Sequence, residues 1–305
     1  MFLDKKQACL EYQSSNYVKQ MKPGEIQVRT KNQIPLSSVD IMRDSMINNY
    51  CNSVDDFSED EKRCLNWFVS YVEFMMNQSY QKLKPSVWKF IKLRHQLDWE
   101  LPYTLNDCIV IPEKMIVGMM KAHATNNTDM VTYYANTITH EAVHLHQKRN
   151  PQFYNSMFKQ FWGFQQVHPD KIKFKKEYLR NWITNPDGMK VEWIFSVKKN
   201  NNVEWYVPLL TIDSNDSTKH AGVLVQLKEV MDKTGRSVFL TVGHTNIANI
   251  PEYVRKFYGH DVQLYHPNEI SAHILADYVI KKKMNIDNTG DSYRFYHYVS
   301  GYLQN

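Results

Sequence analysis

Two histidines and a glutamate at fixed spacing form the most informative pattern in this chain of 305 residues. They are His140, Glu141 and His144, in the pentapeptide His-Glu-Ala-Val-His. Side chains four positions apart lie on one face of an α-helix, so both imidazoles can reach one zinc ion. A glutamate between them can hold a water molecule near the metal and accept its proton. The pentapeptide therefore predicts a zinc site with two histidine ligands and Glu141 as the general base.

The sequence around the pentapeptide predicts the helix that such a site requires. Neither proline nor glycine interrupts residues 128–149, and Pro151 follows as a stop signal. We predict a partly buried helix at about 127–148, on which His146 points away from the metal face and is not a ligand. A surface helix with two solvated histidines is the alternative interpretation. The apolar residues at helical spacing are Val131, Tyr134, Ala135, Ile138, Ala142 and Leu145.

In this setting the pentapeptide resembles that of the zincin metallopeptidases. The resemblance implies a zinc cofactor, two histidine ligands on one helix and a third ligand that differs between subfamilies. The metzincin subfamily would have glycine at 147 and histidine at 150, but this chain has Gln147 and Asn150. The sequence instead resembles the gluzincin subfamily, whose third ligand is a glutamate on a later helix.

The third ligand in gluzincins often lies in an Asn-Glu-x-x-x-Asp pattern. Asn268 and Glu269 match the first two positions, whereas His273 stands where the family has its aspartate. The resemblance therefore implies that Glu269 is the third zinc ligand. It also makes His273, Asn268 and His266 candidates for orienting the ligands or stabilising the transition state.

Glu269 also has a purely structural interpretation. Pro267 occupies a favoured helix-start position, and an acidic residue in the first turn is stabilised by the helix dipole. A catalytic zinc needs three protein ligands and the pentapeptide supplies two, which favours Glu269 as a ligand. Other residues that remain candidates for the third ligand are His266, His168, Asp170, Glu177 and His260.

Composition and charge narrow the class of protein. An apolar content of 43% is ample for a packed core, and the net charge of +5 is mild. The short basic clusters are typical of solvated faces, so we expect no nucleic-acid partner. No run of 18 apolar residues and no signal-peptide core occur, so we expect no membrane partner and a soluble, intracellular protein. The oligomeric state is not indicated.

The four cysteines are widely spaced and contain no C-x-x-C pair. This pattern predicts neither a cysteine-ligated zinc site nor a disulfide framework, and it favours a reducing compartment. The cysteines are Cys9, Cys51, Cys64 and Cys108.

The chain divides at turn signals and at changes of hydrophobic period. Ser58 and Glu61 form a capping-box signature that predicts a long helix. After the turn signal Asn185-Pro186-Asp187-Gly188 the period changes to two, which predicts four strands. We predict an α+β fold: a zincin-like domain whose pentapeptide helix and Glu-ligand helix are separated by a four-stranded antiparallel β insertion. The predicted segments are an N-terminal arm (1–55), a first core part (56–184), the insertion (185–245) and a second core part (246–305).

The preferred function is a zinc peptidase acting on a peptide or protein. The run from Leu101 to Pro112 resembles the strand beside the cleft in zincins, so we expect residues 103–110 to pair with an extended substrate. A catalytically silent zincin-fold protein with a structural or partner-binding role is the alternative, although an intact Glu141 favours catalysis. The run from Arg180 to Trp193 is similar to stretches in uncharacterised predicted metalloproteases of large DNA viruses and protists. That resemblance makes a viral component, located in the virion or the infected-cell cytoplasm, a further expectation.

Overall fold

The computed structural model describes residues 1–30, 34–76, 80–94, 97–187, 192–199, 202–212, 220–256, 264–281 and 298–303. They form an α+β protein, as predicted. Within these described ranges, no helix is both long enough and apolar enough to cross a membrane. The helices are α1 (Lys5–Ser14), α2 (Asn16–Gln20), α3 (Pro23–Arg29), α4 (Val39–Ser53), α5 (Glu59–Met76), α6 (Glu113–Ala124), α7 (Thr128–Arg149), α8 (Pro151–Trp162), α9 (Lys176–Asn181), α10 (Pro251–Lys256) and α11 (Pro267–Lys281). The strands are β1 (Val54–Asp55), β2 (Phe90–Leu93), β3 (Tyr103–Leu105), β4 (Cys108–Pro112), β5 (Gln165–Gln166), β6 (Ile172–Lys173), β7 (Trp193–Lys199), β8 (Asn202–Ile212), β9 (His220–Met231) and β10 (Ser237–Asn246).

The first sheet has the strand order β1-β2-β4-β3 and separates two hydrophobic layers. Strands β2 and β4 are parallel, and β3 pairs antiparallel with β4 at one edge. Alternate residues of a strand face opposite sides of a sheet. Ile109 and Ile111 accordingly pack into the core with α5, α6 and α7, whereas Val110 packs against the N-terminal helices. The sheet thus lies between the motif helix and the N-terminal segment.

The N-terminal segment is a helical layer with a core of its own. Tyr12, Met42, Met46 and Tyr50 from α1 and α4 are fully buried together. The rings of Tyr12 and Tyr50 stack with centroids 4.3 Å apart, and β1 adds a strand to the first sheet. This layer packs on the body of the protein, and its helices reach the cavity described below.

The second sheet has the strand order β5-β7-β8-β9-β10-β6. Its four long strands, β7 to β10, are antiparallel to one another, as the period-two pattern predicts. The predicted four-stranded antiparallel insertion is nevertheless wrong, because β5 and β6 come from residues before 185 and β6 runs parallel to β10. A strand of two residues is too short to leave an alternating signal in the sequence. The sheet is therefore mixed and six-stranded.

The two helices that carry the candidate metal ligands pack against each other. The predicted motif helix is confirmed as α7, which begins after Asn127, whose side chain accepts a hydrogen bond from the Met130 N–H. The predicted Glu-ligand helix is confirmed as α11 over its described length. The capping box at the start of α5 is also present, with reciprocal bonds between Ser58 and Glu61.

A disulfide joins α1 to α4 through Cys9 and Cys51, whose Cα atoms are 4.6 Å apart. The sequence predicts no disulfide framework, so this single bond is a correction. Residues 42 positions apart meet because α1 and α4 pack side by side, which spacing alone does not reveal. Cys64 and Cys108 are free and buried, and burial raises their pKa values to about 11 and about 12.

The double substitution Cys9→Ser/Cys51→Ser should lower the free energy of unfolding by about 2–4 kcal/mol, because the bond restricts a long loop of the unfolded chain. Urea denaturation of the oxidised protein measures this difference. A reducing agent should destabilise the natural chain by the same amount and leave the double variant unchanged. Equal midpoints for the natural and double-variant chains would contradict the pairing.

Candidate metal centre

Three potential ligand atoms from α7 and α11 converge at one point. His140 and His144 are one turn apart on α7, and Glu269 lies in the first turn of α11. The two Nε2 atoms are 2.9 Å apart. Glu269 Oε2 lies 3.2 Å from His140 Nε2 and 3.5 Å from His144 Nε2. The predicted ligands are thus brought together, although 124 residues separate the second histidine from the glutamate along the chain.

These separations fit a tetrahedral metal site. Ligand atoms about 2.0–2.2 Å from a zinc ion stand roughly 3.3–3.6 Å from each other in a tetrahedron. The observed distances of 2.9, 3.2 and 3.5 Å are close to that range. Two imidazole nitrogens and one carboxylate oxygen are also a donor set that zinc prefers.

The electrostatics of the site favour a cation between the three side chains. Burial lowers the pKa of His144, but the negative charges of Asp187 and Glu269 outweigh it and raise that pKa to about 10. Burial likewise raises the pKa of Glu269, but His144 and His140 hold it well below its usual range. The position therefore stabilises positive charge, which a proton or a metal ion can supply.

Gln147 fixes the orientation of His144. Its Nε2 donates to the Asn268 carbonyl at 2.9 Å and to Ser271 Oγ at 2.8 Å. A carbonyl only accepts, so the amide nitrogen must face α11 and Oε1 must face His144. The His144 Nδ1–H accordingly donates to Gln147 Oε1 at 2.8 Å. This leaves the Nε2 atom of His144 as its ligating nitrogen.

Asn185 orients the carboxylate of Glu269 in the same way. Its Nδ2 donates to Glu269 Oε1 at 2.8 Å, which leaves Oε2 directed at the two histidines. The amide is held because Asn185 Oδ1 accepts the Asp187 N–H at 2.8 Å. The segment predicted as a turn thus supplies a group that supports a ligand, and the part described ends at Asp187.

Glu141 is buried beside the ligands and lines the same cavity. Its Oε2 makes no hydrogen bond within the described structure. Burial, and then the negative charge of Asp187, raise the pKa of Glu141 well above its usual range. A buried carboxyl group without a protein donor can exchange a proton with a molecule in the cavity.

The remaining candidates near Glu269 occupy different positions. The Asn268 side chain donates to the Asp187 carbonyl at 2.6 Å, and its backbone carbonyl accepts from Gln147. His266 Nδ1 accepts the Asn268 N–H at 3.1 Å at the start of α11. His273 lies one turn after Glu269 on the cavity wall, with its Nε2 atom 3.8 Å from Asp277 Oδ2.

The alternative third ligands lie elsewhere or outside the described residues. His168 and Asp170 are exposed and pair with each other at 3.4 Å, and Glu177 is exposed on α9. His260 belongs to the part of the chain that is not described. His146 points away from the metal face, as predicted, and its Nδ1 lies 2.9 Å from the Tyr154 hydroxyl. Burial lowers the pKa of His146 to about 4, so it stays neutral.

A cavity of about 350 Å³ adjoins the three ligands and Glu141. Aromatic side chains form much of its wall, and Arg29 from the N-terminal layer reaches its inner end. Arg29 is buried and donates to Asp98, Glu25 and the Thr184 carbonyl. The aromatic residues that line the cavity are Tyr17, Trp99, Tyr103, Tyr133 and Tyr265.

Comparison of the chain with known proteins gives no match. This holds for family models, for curated proteins and for solved structures. The functional inference therefore depends on the chemistry of the site itself.

The sequence pattern did not reveal two residues that support the ligands. Gln147 lies three positions after His144 on α7, a spacing that places both on one helix face and could have identified it. Asn185 lies 84 residues before Glu269, and its turn motif carries no sign of that contact.

Replacing Gln147 by methionine should weaken zinc binding about 10–100-fold, because His144 loses the partner that holds its ring. Competition with a chromophoric chelator measures the dissociation constant. Gln165→Met, at an exposed position of β5, is the matched control and should leave it unchanged. An unaltered affinity in Gln147→Met would show that the hydrogen bond to His144 does not support the site.

Proposed function

We propose that this chain is a zinc-dependent peptidase with a zincin-like core of the gluzincin type. The observation that carries the proposal is the convergence of His140, His144 and Glu269 beside Glu141 in one cavity. A purely structural zinc site has no need of a second carboxylate, such as Glu141, that holds no ligand position. The pairing of α7 with α11, next to a mixed sheet with a short edge strand, also supports this fold class.

Each residue has a definite task in peptide hydrolysis. When bound, zinc supplies Lewis acidity that makes water a nucleophile near neutral pH. His140, His144 and Glu269 hold the ion, while Gln147 and Asn185 keep two of these ligands in place. Glu141 accepts the proton of the attacking water at its free oxygen and transfers it to the leaving amine. Its raised pKa matches a group that must both take and give a proton.

The aromatic wall of the cavity suits a peptide substrate. Aromatic rings offer large contact areas to apolar side chains, and their polar tips can hydrogen-bond to a peptide backbone. The second candidate, a zincin-fold protein that binds a partner without cleaving it, has the same metal centre. Chelator-sensitive cleavage that is lost in Glu141→Gln would separate the two candidates, because only the peptidase requires Glu141.

Glu141→Gln should reduce peptide cleavage about 10²–10⁴-fold while the protein still binds one zinc ion, because the amide cannot accept the proton. Cleavage of a peptide library is followed by mass spectrometry, and metal content by atomic emission. Glu177→Gln, at an exposed position of α9, is the matched control. Natural protein that holds less than about half an equivalent of zinc, or cleaves no peptide in a chelator-sensitive way, would refute the peptidase proposal.

A further inference from the structure

Strand β3 lies at the edge of the first sheet, beside the cavity. Its register pairs Thr104 with Ile109 of β4. The Ile109 N–H, however, donates to the carbonyl of Lys89, which lies on the side of β4 away from β3. In an antiparallel pair the backbone groups of such a residue point away from the partner strand. The N–H and C=O of Thr104 therefore face outward, where an added peptide strand would bind.

Both of these outward-facing backbone groups already form hydrogen bonds with side chains of the protein. The Thr104 N–H donates to Asp187 Oδ2 at 3.4 Å, and the Thr104 carbonyl accepts from Lys148 Nζ at 3.0 Å. Lys148 Nζ also lies 3.2 Å from Asp187 Oδ1, so the two side chains form an ion pair across the strand edge. An added strand would have to displace this ion pair, which leaves the buried charge of Asp187 without its partner.

The next positions of the strand that would face outward, two residues before and two residues after Thr104, provide no backbone N–H for an added strand. Pro102 has no N–H, and Asn106 belongs to the turn between β3 and β4, with φ at 52°. The outward edge of β3 is thus closed over its whole described length. The sequence led us to expect an extended substrate along residues 103–110, and the hydrogen bonds of Thr104 oppose that expectation.

The segment that carries Asp187 is also held by hydrogen bonds at its other end, at Thr184. The Thr184 N–H and hydroxyl donate to Glu25, and Arg29 donates to the Thr184 carbonyl at 2.8 Å. The Asp187 carbonyl accepts from the Asn268 side chain. Residues 184–187 therefore form a fixed wall between the edge of β3 and α11, in the space where a substrate strand would otherwise lie.

The cavity is closed at this wall and opens elsewhere. Its lining is buried at Thr184 and Asp187, whereas Tyr133 on α7 is 61% exposed and Leu101, just before β3, is 46% exposed. The volume of about 350 Å³ is near the lower end of the range of small-molecule sites, about 300–1,000 Å³. Arg29 and Asp98, which line the inner part, are buried and form an ion pair with each other at 2.6 Å.

We propose that the site takes a peptide end-on, as a chain terminus or a peptide of a few residues that enters where Tyr133 and Leu101 are exposed. An extended chain is not bound along β3. This inference rests on the proposed peptidase function and names its substrate class. The recognised feature is a free chain end, and the experiment decides between the amino and the carboxyl terminus.

The test uses zinc-loaded Glu141→Gln protein, which binds peptides without cleaving them. Mixed tetrapeptide pools are prepared with free ends, an acetylated amino terminus, an amidated carboxyl terminus, or both modifications, together with a doubly blocked pool of 12-residue peptides. Dissociation constants follow from thermal shifts against ligand concentration. We expect one of the two single modifications to weaken binding at least tenfold and to identify the terminus. The doubly blocked long pool should bind at least 30-fold more weakly than the free tetrapeptides.

Equal binding of all five pools, or binding of none, would overturn the inference. Cleavage by the natural protein is measured in parallel with the same pools. Chelator-sensitive cleavage of the long blocked peptides would retain the peptidase and refute end-on entry. Terminus-selective binding without any cleavage would instead refute the peptidase and retain the ligand class.

A variant that opens the strand edge gives an independent measurement. In Lys148→Met/Asp187→Ala both charges and the side-chain acceptor of the Thr104 N–H are removed together, so Asp187 is not left as a buried charge without its partner. We expect this variant, in the Glu141→Gln background, to bind the long blocked peptides at least fivefold more tightly. Lys159→Met, at an exposed position of α8, is the control and should not change that binding.

Discussion

The amide of Gln147 is the interaction on which the candidate metal centre depends. One side chain bonds the ring of His144 on its own helix and two groups of α11, the Asn268 carbonyl and Ser271 Oγ. It therefore sets both the direction of a ligand and the position of the helix that brings Glu269. An amide is well suited to this role, because it accepts on one side and donates twice on the other without adding charge.

The distribution of charge around this amide explains why the site favours a cation. Glu141, Asp187 and Glu269 are all buried within a short distance of His144, and Lys148 places a permanent positive charge against Asp187. Buried negative charges need compensation, since their loss of hydration is costly. Lys148 compensates the negative charge of Asp187, whereas the carboxylate of Glu269 faces the two histidines. A divalent ion bound among these groups would balance the negative charge that remains in excess.

Local signals in the sequence predicted the parts of the structure that depend on neighbouring residues. Helices α7 and α11 follow from helical periodicity and from their end signals, and with them the positions of His140 and His144. Contacts between distant segments left no such signals. The capping of Thr104 by Lys148, the bond from Asn185 to Glu269 and the two short edge strands of the second sheet arise only when the chain is folded. The third ligand was suggested by resemblance, because its neighbours in sequence are those of an ordinary helix start.

The attachment of Thr184 to α3 changes how the first 55 residues should be regarded. Glu25 and Arg29 satisfy the backbone of Thr184, which is adjacent to the residue that holds a metal ligand. A chain that began after this layer would leave buried polar groups of the cavity wall without partners. The N-terminal layer is thus not an exchangeable module attached to a complete candidate site. Its helices and the candidate metal ligands must be retained together in any shortened chain, since neither keeps its surroundings without the other.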